Sequence, residues 1–267
     1  MVYTCYDMVN DCRSGRPEGW SYFISNYVPV IRRILAHYYP TASSGGFVEQ
    51  VLPGICRPES SVFASLEPAP ERSFLAELRQ QVLAAADELA RIPPPPIEID
   101  LETLAAALAD LTLTEKQTVW LETMLYSQEA SGTLLRMEAR TVEKIRAKAA
   151  ERIRGKTDAW NSALLANNGR QLAKAAACVR TAECPPSKIF RDVLDGRATW
   201  RGREEMERHT SACWYCIDHF CRLAEVVELL RGSAPLSMQE TEKFRDLIGL
   251  PQSKQAGWKR FWARAAE

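Results

Sequence analysis

Histidine is scarce in this chain, with three residues in 267, and glycine is not abundant, with 13. No two histidines form a His-Glu-x-x-His pair, and no glycine-rich segment has the spacing of a phosphate-binding loop. The sequence therefore lacks the motifs of a zinc hydrolase and of a nucleotide-binding enzyme. We predict that the protein is not an enzyme.

Long apolar runs are absent as well. No run is long enough to cross a bilayer, and the N-terminus carries Asp7 and Asp11 where a signal peptide needs an apolar core. We expect a cytoplasmic protein without a membrane span. The chain also lacks net charge, because 34 basic residues balance 34 acidic ones. Any contact with DNA must therefore come from a local cluster of basic residues.

Strand patterns are nearly missing. Val, Ile and Thr do not alternate with polar residues over a useful length, whereas apolar residues recur at helical spacing. The pattern predicts an all-α fold, with helices that include residues 17–39, 47–55, 73–91, 101–111, 127–135 and 139–154. A capping box at Thr114–Gln117 is expected to begin the helix that carries Trp120.

The run of four prolines at 93–96 is the clearest domain boundary, because consecutive prolines favour an extended spacer. We predict domains at 1–91 and 98–156 around a linker at 92–97. A helical linker at 157–182, a small domain at 183–233 and an amphipathic extension at 234–267 follow. The aromatic segment 254–264 is expected to dock on the rest of the chain or on a partner, with a membrane surface as the alternative.

Three of the eight cysteines and one histidine have the spacing of metal ligands. In a reducing compartment, eight cysteines indicate metal or thiol chemistry rather than a disulfide scaffold. His209, Cys213 and Cys216 form a His-x-x-x-Cys-x-x-Cys pattern, and Cys184 lies upstream. Four such donors can close a tetrahedron around Zn²⁺ with no open position, as structural zinc sites do. We predict a Zn²⁺ site at these four residues.

His219 is the alternative to His209, since it lies three residues after Cys216 on the same predicted helix. We prefer His209 because ligands from two helices cross-link the fold more effectively. The remaining cysteines have no ligand-like spacing and are expected to pack; they are Cys5, Cys12, Cys56, Cys178 and Cys221.

Charge changes sign abruptly in the middle of the chain. Residues 98–129 hold seven acidic residues and one base, whereas residues 136–156 hold eight bases and three acids. A tight turn at 136–138 joins a short helix to a strongly basic one, which is typical of a helix-turn-helix. A solvated basic helix is the alternative. The candidate DNA-binding residues are Arg136, Arg140, Glu143, Lys144 and Lys148.

Two parts of the chain resemble extracytoplasmic-function sigma factors. Residues 113–121 and 140–146 resemble the domain that reads the −35 promoter element, and residues 11–20 and 27–33 resemble the first helix of the core-polymerase-binding domain. The resemblance implies two sigma-type helical domains, with core RNA polymerase and double-stranded promoter DNA as partners. The helix at 73–91 departs from the family, because it is nearly neutral and has few aromatic residues for strand opening.

Residues 183–232 resemble the zinc-binding anti-sigma domain, on the ligand pattern and on the segment 190–196. In separate-chain systems that domain masks the polymerase-binding surfaces of the sigma domains, so the resemblance implies an intramolecular contact. Zinc as a switch and zinc as a purely structural ion both stay open. The leading hypothesis is a promoter-specific sigma factor with a cis-acting zinc-binding regulatory domain. The alternative is a sigma-derived adaptor or scaffold that does not melt promoter DNA.

Overall fold

The computed structural model describes residues 3–40, 46–57, 63, 70–90, 97–154 and 162–250. These residues form thirteen α-helices and include no β-strand, which confirms the all-α prediction. Within the same ranges no helix has both the length and the apolar character needed to cross a membrane. The proline run at 93–96 and the aromatic segment at 254–264 lie outside the described residues.

The helices follow one another in a simple order along the described parts of the chain. They are α1 (Cys5–Arg13), α2 (Pro17–Tyr38), α3 (Phe47–Ile55), α4 (Glu71–Ala90), α5 (Leu101–Ala107), α6 (Leu113–Thr123), α7 (Gln128–Leu135), α8 (Ala139–Arg154), α9 (Ser162–Cys178), α10 (Ser187–Leu194), α11 (Trp200–Thr210), α12 (Trp214–Arg231) and α13 (Met238–Leu247). Helices α2, α3, α4, α7 and α8 begin and end within two residues of their predicted bounds.

The chain folds as two compact units. One unit combines Met1–Ala90 with Gly232–Glu267, and the other comprises Arg91–Arg231. The first unit is therefore assembled from both ends of the chain, and the second from its middle. The turn expected at 136–138, the predicted metal ligands and the helix α9 all belong to the second unit.

Helix α2 organises the first unit. It begins with Pro17 at its first turn, a position where the missing amide proton costs no hydrogen bond. Its apolar face is fully buried and includes Phe23, Ile24, Tyr27 and Ile31. Aromatic rings from elsewhere complete the core, because Phe63 packs edge-on against Phe23 with ring centroids 5.4 Å apart.

The C-terminal helix α13 packs on α2 and α3 of the same unit. Phe244 is only 2% exposed and anchors this contact. Two ion pairs flank it, Arg32 to Glu240 at 2.7 Å and Lys243 to Glu49 at 2.5 Å. Arg245 donates a hydrogen bond to Ser21. A segment some two hundred residues away in sequence thus covers one face of α2.

Helix α6 is the buried centre of the second unit and contacts α7, α8, α9 and α12. Val119, Trp120 and Leu121 are each 1% exposed. Because the helix is covered on several sides, most of its polar residues are buried; these are Glu115, Lys116, Gln117, Thr118 and Thr123. Helix α6 is the element on which the other helices of this unit assemble.

The capping prediction for α6 is wrong by two residues. The N-cap is Thr112, whose hydroxyl accepts a hydrogen bond from the amide of Glu115 at 3.3 Å, while the Glu115 carboxylate accepts from the amide of Thr112 at 2.8 Å. A capping box needs a hydroxyl three residues before a glutamate or glutamine, and although Thr114 and Gln117 also have this spacing, the box that forms is Thr112–Glu115. Thr114 lies inside the helix, where its carbonyl accepts from the Thr118 hydroxyl at 2.8 Å.

Helix α9, which occupies most of the segment expected as a linker, contributes to the core of the second unit. Asn168 is fully buried, and its side chain accepts from the amide of Ile99 at 2.8 Å and donates to the carbonyl of Ile97 at 2.9 Å. The next residue, Gly169, meets α6 so closely that a Cβ at this position would lie 2.0 Å from the carbonyl oxygen of Thr123. Only glycine permits that approach of the two helices.

Candidate metal centre

The four predicted ligands lie together in the second unit. One ligand atom each from Cys184, His209, Cys213 and Cys216 falls within 4.8 Å of the others, and the Cys184 and Cys213 sulfurs are 3.7 Å apart. Three thiols and one imidazole at this separation can surround a single metal ion. The set is compatible with Zn²⁺, which favours tetrahedral sulfur and nitrogen donors.

Local structure explains why three of the ligands converge. His209 lies in the last turn of α11, and Cys216 lies in the first turn of α12. Between the two helices a tight turn runs through Ser211–Cys213, in which the amide of Cys213 donates to the carbonyl of Thr210 at 3.2 Å. The turn folds Cys213 back toward His209, so this part of the site is set by sequence-local geometry. Cys184 comes from the separate loop that follows α9.

Hydrogen bonds prepare Cys184 to be a thiolate. The amide of Thr181 donates to the Cys184 sulfur at 3.3 Å, and the Thr181 hydroxyl lies 3.6 Å from the same atom. Burial opposes ionisation, but these hydrogen bonds, together with the neighbouring His209 and Cys216, outweigh it and lower the pKa of Cys184 to about 6. Donors that orient and charge a ligand are a regular part of metal sites.

The surroundings of the other two thiols disfavour the thiolate form. Burial, together with the neighbouring Cys213, raises the pKa of Cys216, and burial also raises the pKa of Cys213. Nε2 of His209 is buried and has no hydrogen-bond partner among the described residues. A metal ion at the centre of the cluster would offset the charge of the thiolates and engage the imidazole, so the residues present fit the group.

The alternative ligand, His219, lies outside this cluster. Its ring stacks on Tyr215 with centroids 5.6 Å apart and meets the edge of Phe190, and Nε2 is 2.9 Å from the Ser187 hydroxyl. Of the two histidines, His209 is therefore the one that lies with the three cysteines. His219 instead ties α10 to α12.

Acid should weaken the second unit through His219. Burial, followed by the charges of nearby arginines, lowers the pKa of His219 from 6.5 to about 3. Above pH 6.5 the His219 side chain is neutral in both the folded and the unfolded protein. Below pH 6.5 it is protonated in the unfolded protein but stays neutral in the folded protein. Stability is lost as the pH falls from 6.5 toward 3, by up to about 1.4 kcal/mol per pH unit.

The measurement is the free energy of unfolding from pH 7 to pH 4 in the wild type and in His219→Gln, which keeps a hydrogen-bonding group for Ser187. We expect the curve of the variant to be flatter over this interval. Parallel curves for the two proteins would show that His219 does not carry the effect.

The residues around the metal cluster pack directly on α6. The indole NH of Trp120 donates to the Asp218 carboxylate at 3.1 Å, and the Trp120 ring lies 5.5 Å from that of Trp214. Nζ of Lys116 donates to the carbonyl of Ser211 at 2.7 Å. Trp214 and Ser211 flank Cys213 in sequence, so the metal cluster and α6 belong to one continuous core.

A buried ion pair supports this junction. Asp218 and Arg222 on α12 are 1% and 5% exposed and lie 2.7 Å apart. A carboxylate is costly to bury without a cation beside it, so Arg222 offsets the cost of burying Asp218 next to Trp120. The four-residue spacing of Asp218 and Arg222 on a predicted helix is a sequence signal for this pairing, whereas its burial depends on the fold.

The predicted DNA-binding residues are placed differently from one another. Arg140, Glu143 and Lys144 lie on the exposed side of α8. Lys148 is 56% exposed and pairs with Glu115 at 2.9 Å. Arg136 is the left-handed C-cap of α7, at φ 56°, and its guanidinium donates to the carbonyl of Leu194, the last residue of α10, at 2.5 Å. The exposed side of α8 is therefore available to a ligand, whereas Arg136 already has a partner.

Sequence reasoning overlooked Thr181 and Arg146. The sequence signal for Thr181 is its Thr-x-x-Cys spacing, which allows a turn to direct both its amide and its hydroxyl to the Cys184 sulfur. Arg146 is partly buried, where it donates to the Tyr126 carbonyl at 2.9 Å and to the Ser131 hydroxyl at 2.8 Å. It therefore fastens α8 to α7 and is not presented to solvent with its basic neighbours.

Comparisons with known proteins leave the site to be judged on its own geometry. No protein-family model matches this chain, and neither curated proteins nor solved structures include a significantly similar one.

Proposed function

We propose that the protein is a promoter-specificity factor of the sigma type, with a zinc-binding regulatory segment in the same chain. The segment, residues 183–231, is called the metal module below. The observation that carries the proposal is the burial of Trp120 between Asp218 and Trp214. These contacts of Trp120 connect the metal module, close to its predicted ligand turn, to α6. Helices α7 and α8 pack on the same helix.

DNA binding is assigned to α8. Arg140 and Lys144 are one helical turn apart on its exposed side, while Val142 and Ala149 are buried on the opposite side. Side chains spaced in this way can enter a major groove while the apolar face stays packed. The connection of only three residues between α7 and α8 supports the same reading, since it is the length found in helix-turn-helix motifs.

Zinc has the role of holding the metal module against α6. Metal binding and folding are linked in small zinc modules, because the ligands are not preformed in the unfolded chain. Loss of the ion would loosen Ser211–Cys216 and, with it, the contacts of Lys116 and Trp120. The orientation of α8 would then no longer be fixed from that side, since Glu115 of α6 is the partner of Lys148.

Neutralising the exposed side of α8 should weaken DNA binding. We expect Arg140→Ala/Lys144→Ala to lower the affinity for duplex promoter DNA and to reduce the slope of log affinity against log salt by about 2, one for each lost phosphate contact. Fluorescence anisotropy over a series of salt concentrations measures both quantities. The matched control is Arg201→Ala/Arg203→Ala, which removes two exposed arginines of α11.

Equal affinity and equal salt slope for the α8 variant and the wild type would overturn the DNA assignment. Co-purification with core RNA polymerase tests the sigma assignment separately. A chain that retains polymerase but binds no promoter would instead be an adaptor.

One observation favours the adaptor as the second candidate. Of the arginines on the helix expected to open the −10 element, Arg79 is 2% exposed, donates to the Tyr38 hydroxyl at 2.5 Å and lies over the Tyr38 ring. A cation held in this way cannot reach a phosphate. Arg91 lies outside the described residues. Permanganate footprinting of promoter DNA with polymerase would detect strand opening and so separate the two candidates.

A further inference from the structure

The metal cluster is not sealed on all sides. An open cavity of about 620 Å³ in the second unit is lined by two of its ligands, His209 and Cys213. Structural zinc sites are closed in coordination, but the ion must still enter and leave through the protein. The cavity brings solvent space up to two of the ligand residues.

The walls of the cavity differ in character. Leu101 and Ala105 of α5, together with Val179 and Trp214, form an apolar wall. Glu102 and Glu183, both exposed, also line it from different parts of the chain, one on α5 and the other next to Cys184 in sequence. Two carboxylates beside a low-dielectric wall concentrate cations at the opening, because field lines are focused into such clefts.

We propose that this cavity is the route by which the divalent metal ion reaches and leaves the cluster, with Glu102 and Glu183 as transient oxygen ligands on the way. The proposal rests on the metal centre of the proposed function and adds its exchange pathway. Carboxylate oxygens bind Zn²⁺ but are weaker partners than thiolates, so the ion passes from oxygen to sulfur donors as it enters. The exchange rate of the metal is then controlled by residues that are not its final ligands.

If the cavity is the route, substitutions along it should change the rates of zinc uptake and release without changing the dissociation constant. A residue on the pathway changes the height of the barrier, so uptake and release change together and the dissociation constant stays the same. A residue that merely supports the fold would instead weaken binding and speed release. The two roles therefore have opposite signatures in one experiment.

The experiment follows release of zinc from the full-length, zinc-loaded protein into a chromophoric chelator, with the dissociation constant measured by competition. Ala105→Phe fills the cavity from α5, and Val179→Trp narrows it from a position that is already 43% exposed, where a larger side chain does not strain the core. We expect release to slow about fivefold in each variant, with the dissociation constant unchanged within about twofold.

Glu102→Gln/Glu183→Gln removes the charge and keeps the shape. Release should slow about fivefold at low salt, and the difference should shrink at high salt because ions screen the carboxylates. The control is Glu151→Gln, an exposed acid on α8 that does not line the cavity.

Release at the wild-type rate in Val179→Trp and in the double glutamine variant would overturn the route. Faster release with weaker binding would overturn it too, since the wall would then be only structural. Absence of bound zinc from the wild-type protein is a different failure, which would remove the metal centre itself and would be seen in the metal content before any kinetics.

Discussion

Cys213→Ser should abolish stoichiometric zinc binding and unfold the metal module. The substitution removes one of four ligand atoms that lie within 4.8 Å of one another and leaves the remaining thiols without a cation to offset their charge. Binding of structural zinc contributes on the order of 10 kcal/mol to small modules, so this is the largest single effect we expect from one side chain. Atomic absorption gives the metal content, and helical circular dichroism on heating gives the stability.

A matched control is available close by. Cys178 is an exposed thiol near the C-terminus of α9 and does not belong to the cluster, so Cys178→Ser changes the same atom without touching the site. This variant should retain its zinc and melt like the wild type. If Cys213→Ser also keeps a full complement of zinc and an unchanged melting curve, the cluster is not a metal site.

Gly169→Ala should destabilise the second unit more than alanine at any other described glycine of that unit. The new Cβ would lie 2.0 Å from the Thr123 carbonyl oxygen and 3.0 Å from its carbon, both backbone atoms that cannot rotate away. Helices α6 and α9 would have to separate, and overpacking of this kind costs about 3 kcal/mol. Denaturant titration gives the free energy of unfolding.

The comparison is Gly54→Ala, also within a helix. A Cβ there meets no heavy atom within 4 Å, so the substitution should raise stability by roughly 1 kcal/mol through the lower entropy of the unfolded chain. The two substitutions are thus expected to change the free energy of unfolding in opposite directions. A Gly169→Ala protein as stable as the wild type would mean that α6 and α9 do not approach as closely as described.

Helix positions and the local half of the metal site were predictable, because both depend on spacing along the chain. Apolar residues at helical intervals located α2 and α8. The His-x-x-x-Cys-x-x-Cys pattern places three donors around one turn independently of the contacts made by the rest of the chain. The N-cap of α6 was missed by two residues because Thr112–Glu115 and Thr114–Gln117 both have the spacing of a capping box, and only the fold shows that the first pair forms it.

Contacts between distant segments were beyond prediction from spacing. Trp120 has an apolar side chain with one polar atom, and nothing in its neighbourhood in sequence indicates that Asp218 will be the acceptor. Arg136 looks like a phosphate ligand in sequence but lies beside the C-terminal carbonyls of α10, where a cation is favourable. Arg79 likewise reads as a surface base, and only the fold places Tyr38 beside it.

The way α13 completes the N-terminal unit has a consequence for biogenesis. The ribosome makes α1 to α4 first and α13 only after the whole of residues 91–231, so Phe244 reaches its seat on α2 and α3 late in synthesis. Domains usually fold in the order in which they are synthesised. Here the N-terminal unit cannot complete its folding until α13, one of the last helices to be made, has been synthesised. Until translation has passed Leu247, the apolar surface of α2 and α3 on which Phe244 packs stays exposed on the growing chain.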